Sequence, residues 1–166
     1  MLTYNFHPGL VKDVEDLPTE RVAQDVADGV ERSWREAREA NRKGVQFDMD
    51  CPTRLLPRYA EILTGIRARL KANGIAGSFS STALPTWLTS KNIGSLAAAV
   101  DFLAPQFYEG RTGKTAGEVF PVSDPSQIED GLRRIARLGI PCQAGIATYD
   151  HALLYDDHQQ LIAMYH

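Results

Sequence analysis

Short apolar runs alternate with amphipathic helical stretches along nearly the whole chain. Such an order is met by parallel strands joined through right-handed helical crossovers. Residues 2–6 read as a strand, stopped by His7-Pro8-Gly9. Pro18-Thr19 opens a helix whose Val22, Val26, Val30 and Trp34 recur at one-turn spacing, running to about Asn41. A strand over 44–50 follows, then a helix marked by Tyr59, Ile62, Leu63, Ile66 and Leu70 and ended by Asn73-Gly74. The pattern next predicts a strand over 76–84, a shorter helix over 90–100 and a strand over 101–108. Asp124-Pro125 caps and starts a helix carrying Ile128, Leu132, Ile135 and Leu138, and Gly139 closes it. A fifth strand is predicted over 141–149 and the start of a last helix over 158–165.

Two parallel folds accommodate this order. A doubly wound sheet of five strands is complete at 166 residues. An eight-stranded TIM barrel needs about 250 residues, so about three units are missing here. A dinucleotide-type doubly wound domain is expected to carry Gly-x-Gly-x-x-Gly after its first strand, and no strand here is followed by it. Ser78, Ser80 and Thr82 alternate along one strand, which suits a polar barrel interior better than a sheet covered by helices on both faces. The expected fold is therefore α/β, an incomplete TIM barrel of about five parallel strands. We read residues 1–166 as a single domain, the C-terminal part of such a barrel.

Composition narrows the partners. With 43% hydrophobic residues and a net charge of −3, the chain can bury a core and has no excess of cations. Lys and Arg are interspersed with Asp and Glu, a solvated face rather than a nucleic-acid footprint. No apolar run reaches membrane-spanning length, and the first residues lack a basic flank followed by an apolar stretch. Cys51 and Cys142 make no disulfide framework and no zinc spacing, and both read as buried fillers near strand ends. No metal or cofactor is called for. A metal site from His7, Asp48 and Asp50 cannot be argued from spacing.

Polar residues gather at the C-terminal strand ends, the edge where parallel α/β folds hold their ligands. They include Asn5 and His7, Asp48 and Asp50, Trp87, Gln106 and Tyr108, and Tyr149 and Asp150. His7, before Pro-Gly, reads as a loop residue and is left out of the site. The densest chemistry is Gly44-Val45-Gln46-Phe47-Asp48-Met49-Asp50. Alternation puts Gln46, Asp48 and Asp50 on one face, with the two acids about 6.6 Å apart along the strand. Like charges so close disfavour each other, which suits one of them to hold a proton. The structural alternative is that these acids cap the turn opened by Cys51-Pro52-Thr53. Gly110-Arg111-Thr112-Gly113-Lys114-Thr115 ends like a phosphate-binding loop, but Tyr108 stands where that loop needs its first glycine. It reads as a loop over the site.

Three ordered segments carry a resemblance: residues 44–53, Ser81-Thr82-Ala83-Leu84-Pro85-Thr86-Trp87-Leu88, and Val100-Asp101-Phe102 leading to Gln106-Phe107-Tyr108. In these the chain resembles the bacterial domain of unknown function 3142 family. The resemblance implies a glycoside-hydrolase-like barrel; family members are usually longer and often exported, and this chain alone leaves its localisation open. That barrel is in turn similar to family 18 glycoside hydrolases, with Asp-x-Asp-x-Glu on one strand and Met-x-Tyr-Asp on another. On that pattern Gln46 replaces the first Asp, Asp48 keeps the second and Asp50 stands for the Glu; Gln106-Phe107-Tyr108-Glu109 keeps the Tyr and a final acid.

The resemblance thus implies Asp50 and Asp48 as catalytic residues. Gln46, Trp87, Gln106, Tyr108, Glu109, Tyr149 and Asp150 would bind a polysaccharide or oligosaccharide, with missing barrel units supplied by a longer chain or a partner. Trp87 and Tyr149 either stack on sugar rings or pack the core. Asp50 is one methylene shorter than Glu and Gln46 lacks a charge. A non-catalytic carbohydrate-binding or scaffold domain on a degenerate barrel is therefore the alternative. A third possibility is that the isolated piece does nothing alone, because an open barrel exposes sheet edges.

Overall fold

In the computed structural model the chain is described over residues 1–6, 8–37, 43–108, 121–148 and 152–165, with 8, 9 and 165 described by backbone alone. Among the described residues the strands and α-helices follow in the order β1 (Leu2–Asn5), α1 (Pro8–Asp16), α2 (Thr19–Glu36), β2 (Gly44–Asp48), α3 (Leu56–Ala72), β3 (Ser78–Ala83), α4 (Ile93–Ala99), β4 (Phe102–Pro105), α5 (Pro125–Leu138), β5 (Ala152–Tyr155) and β6 (Leu161–Tyr165). Tight turns over Thr53–Leu55 and Pro85–Thr89 lead into α3 and α4.

The first four strands form one parallel sheet in the order β1-β2-β3-β4. Tyr4 pairs with Phe47, Phe47 with Ser81 and Ser81 with Leu103, so the registers are consecutive across the sheet. The expected fifth strand joins over a shorter stretch. Leu103 N–H donates to Pro141 O at 3.0 Å, Gln143 N–H to Leu103 O at 2.9 Å and Gly145 N–H to Pro105 O at 2.8 Å. Residues 141–145 thus run parallel beside β4 through two bridges.

The core lies on one face of this sheet. Val45 and Phe47 of β2 and Met49 just beyond it, where the strand expected over 44–50 has ended, are all but fully buried against Tyr59, Ile62, Leu63 and Ile66 of α3 and Val22, Val26 and Val30 of α2, the stripes that the helical periodicity marks out. Each such side chain contributes about 1.5–3 kcal/mol of burial. Tyr59 sits edge-on to both Phe6 and Trp87, and its hydroxyl is 2.9 Å from Ser81 Oγ. The Arg67 guanidinium stacks over Phe79 and pairs with Asp101, whose other oxygen accepts from Phe79 N–H at 2.7 Å. Asp101 is therefore a clip between β3 and β4. Gly44 is required where β2 meets β3, because a Cβ there would collide with the backbone of Ser78.

Four features depart from the sequence expectations. Helix α1 lies where no element was expected: Pro8 is its first residue, where a fixed φ and a missing N–H suit a helix start, and Val14 anchors it in the core. Helix α2 ends at Glu36 rather than near Asn41, because Ala37 turns extended. The last helix expected over 158–165 is instead strand β6, antiparallel to β5. Asp156 Oδ1 accepts the N–H groups of His158 and Gln160 at 2.9 and 2.8 Å, a side-chain-built turn that reverses the chain, and the short apolar run beyond it is compatible with either period. In α5 the expected stripe is only partly used: Ile135 is buried, whereas Leu132 and Leu138 are 38% and 50% exposed. The caps of α5 are those expected, Asp124 accepting from Ser126 N–H at 2.9 Å and Gly139 left-handed at φ 63°.

Candidate functional site

The face of the sheet opposite the core is polar. Alternation sets Thr3 and Asn5 of β1, Gln46 and Asp48 of β2, Ser80 and Thr82 of β3 and Gln106 after β4 on that side, as the registers Thr3 with Gln46 and Gln46 with Ser80 require. This is the surface that a closed barrel would enclose.

Asp48 is the hub of that surface. Its Oδ1 accepts from Thr82 Oγ1 at 2.7 Å and from Gln106 Nε2 at 3.3 Å, so three adjacent strands contribute to one carboxylate. Asp50, two residues on, is exposed, and Asp48 is half-buried. Both acids line the same cleft, of about 450 Å³, together with Asn5, Phe6 and Val11. Phe6 and Val11 give it an apolar wall, and that wall is fastened: Arg54 donates to Glu15 at 2.6 Å, and Arg58 bonds the carbonyls of Val14 and Leu17 at the end of α1. Arg54 and Arg58 follow Asp50 closely, so the acids and the wall of α1 are tied to one segment.

Cys51, beside the acids, is a free thiol and 2% exposed. Burial pushes its pKa up to about 12, with the Asp50 charge adding a little, so it is no nucleophile at neutral pH. Tyr59 is raised as well, by burial, against the opposing bond to Ser81. Among the described residues no group of three His, Cys, Asp or Glu is gathered in the way a metal ion needs.

The residues expected in the site separate into groups. Asp48 and Asp50 converge on one cleft, Gln46 lies on the same face one layer deeper, and Gln106 reaches Asp48 directly. Trp87 needs correcting: it is 1% exposed and its indole N–H donates to Cys51 O at 3.2 Å, so it packs the core and offers no face to a sugar. Tyr108 packs against Gly145, where a Cβ would stand 3.1 Å from its ring. Glu109, Tyr149 and Asp150 lie outside the described residues, as do His7 and the loop from Gly110 to Thr115. Sequence reasoning alone does not bring Thr82 into the site. Its signal was present in the alternation of Ser78, Ser80 and Thr82, but only the strand order tells that this face meets Asp48.

The same bonds give the three sequence segments of the resemblance a physical meaning. Trp87 ties the second to the first through Cys51, and Asp48 ties the first to the second and third through Thr82 and Gln106.

An open run of parallel strands, helical crossovers and a polar inner face define an incomplete TIM barrel. Solved structures share that fold. The Bacillus subtilis protein YdhD, described as a sporulation-specific glycosylase, matches with a TM-score of 0.66 at 18% identity over 90% of this chain and 51% of its own. The spore cortex-lytic enzymes SleL of Bacillus cereus and Bacillus megaterium each match with a TM-score of 0.63, at 16% and 19% identity, over 88% and 87% of this chain and 34% of theirs. The chain thus spans about half of the first and a third of the other two. At these identities the likeness is one of fold. Among curated proteins none matches significantly. The chain belongs to the domain of unknown function 3142 family, whose profile covers residues 11–154.

Proposed function

We propose that this chain is part of a glycoside-hydrolase-like barrel that acts on a polysaccharide through Asp50 and Asp48. The observation that supports it is the shared cleft: two carboxylates and Asn5 at the C-terminal ends of neighbouring parallel strands, against an apolar wall from Phe6 and Val11. Asp50, the more exposed acid, delivers the proton to the glycosidic oxygen. As the C–O bond breaks and water adds to the anomeric carbon, Asp48, fixed by Thr82 and Gln106, opposes with its negative charge the positive charge that develops there. The descriptions of the three structural neighbours, a glycosylase and two cortex-lytic enzymes, support a glycan as substrate. Residues 1–166 form one domain, the C-terminal part of a barrel whose remaining units come from a longer chain or a partner.

A binding role without catalysis is the second reading, favoured by one feature: with Asp where the related pattern has Glu, the acid stops one methylene short. Hydrolysis of a panel of polysaccharides that includes purified spore cortex separates the two. Release of reducing ends by the wild type, with Asp50→Asn down about 100-fold or more, supports hydrolysis. Equal turnover in both removes Asp50 from the mechanism. Retained glycan binding without turnover in either establishes the binding reading.

A further inference from the structure

We propose that Thr82 is a positioning residue that holds the Asp48 carboxylate in one orientation toward the cleft, an inference that rests on the hydrolytic reading above. A threonine hydroxyl has a single proton to give. Two acceptors stand within its reach, Asp48 Oδ1 at 2.7 Å and the Phe47 carbonyl at 3.3 Å. The carboxylate is nearer and charged, and therefore takes it. Thr82 is 7% exposed, so water competes poorly for the bond, and its branched Cβ restricts the hydroxyl to few rotamers.

Gln106 acts on the same oxygen. An ionised carboxylate only accepts, so the Gln106 amide must present its N–H2 to Oδ1, at 3.3 Å. With both donors on Oδ1, the other oxygen of Asp48 is the one left to the cleft that it shares with Asn5 and Asp50. A donor from β3 and one from just beyond β4 thereby fix an acid on β2, and the rigid sheet beneath sets the geometry. Among the described residues Asp48 is the cleft-lining group to which Thr82 hydrogen-bonds, so it acts through that residue.

Two measurements on the full chain test this together. In the first, turnover of a cleaved glycan is compared for Thr82→Val, which keeps the shape and loses the hydroxyl, and Thr82→Ser, which keeps the hydroxyl. Loss of position alone is worth about 10- to 100-fold in kcat. The expected result is a loss of that size in Thr82→Val, with KM and melting temperature little changed, and recovery of most of it in Thr82→Ser. Wild-type turnover in Thr82→Val, or equal damage in both variants, overturns the proposal.

In the second, proton NMR follows the Thr82 hydroxyl, identified by its loss in Thr82→Val. A protected resonance that moves and exchanges faster in Asp48→Ala is expected. Its absence from the wild type, or its indifference to Asp48→Ala, overturns the clamp. A responsive hydroxyl in a protein that hydrolyses no glycan supports the clamp and rejects the hydrolytic reading instead.

Discussion

From Leu2 to Phe107 the apolar residues that the sequence places at periodic positions are buried, whereas beyond residue 121 most large apolar side chains face outward. Phe47, Met49, Leu56, Ile62, Leu63, Ile66 and Leu103 are at 0% exposure, but Leu138, Ile146, Leu154, Leu161, Ile162 and Met164 lie between 43% and 62%. Among the described residues of the second region only Ile135 belongs to the buried core. The amphipathic pattern is as strong in α5 as in α2, so the difference lies in what stands opposite. Helices α2, α3 and α4 pack in sequence on the four-stranded sheet; α5 packs chiefly on the Pro85–Thr89 turn, and β5 and β6 form a separate two-stranded sheet. An amphipathic pattern states what an element can bury. The neighbouring units decide whether it does.

This contrast predicts very unequal costs of substitution. Phe47→Ala or Trp87→Ala removes a side chain with essentially no exposure and is expected to cost about 3–5 kcal/mol in urea unfolding, while Ile162→Ala, at 62% exposure, costs less than about 0.5 kcal/mol. Similar losses in all three would erase the distinction between the two regions.

Alkaline pH probes the same boundary. The folded state holds the Cys51 proton to about pH 12, the unfolded chain loses it near the ordinary thiol value, and so folding binds a proton across the interval between. The Cys51 contribution to stability is constant below about pH 8.5 and falls above it by up to about 1.4 kcal/mol per pH unit, with Tyr59 adding a loss above about pH 10. Cys51→Ala should flatten the first part of that decline. At pH 8 a thiol reagent is expected to label half-buried Cys142 well before Cys51; simultaneous labelling would contradict the burial of the acid strand.

A smaller effect is expected from Ile162→Lys with Met164→Lys. Both positions are exposed, so the midpoint of unfolding moves by less than about 0.5 kcal/mol, while self-association at high concentration, followed by light scattering, declines.

Much of the fold was legible because it depends on local periods. The stripe from Val22 to Trp34, the alternation of Val45, Phe47 and Met49, and the caps Asp124 and Gly139 all specify their elements without help from distant residues. The helix expected over 158–165 differs from β6 because the five apolar residues 161–165 fit a strand or a helical turn, and the Asp156 turn that decides between them depends on its side chain meeting two backbone N–H groups. In the site, the alternation reaches Asp48, where β2 ends; Asp50 lies beyond the strand, in a turn closed by Cys51 N–H on Met49 O, and lines the same cleft from there. The alternation could not tell Trp87 buried from Trp87 exposed, since that depends on where the Pro85–Thr89 turn folds over Cys51. Nor could it pair Thr82 with Asp48, which needs the strand order.

The proposed glycan site is the Asp48–Asp50 cleft and not the exposed apolar surface of the hairpin. An NMR titration of the labelled protein with oligosaccharides released from spore cortex tests this most directly. Amide shifts concentrated at Asn5, Asp48, Asp50 and Thr82, and absent from Leu161–Tyr165, are the predicted result. Shifts confined to the hairpin, or none anywhere at millimolar sugar, would contradict it.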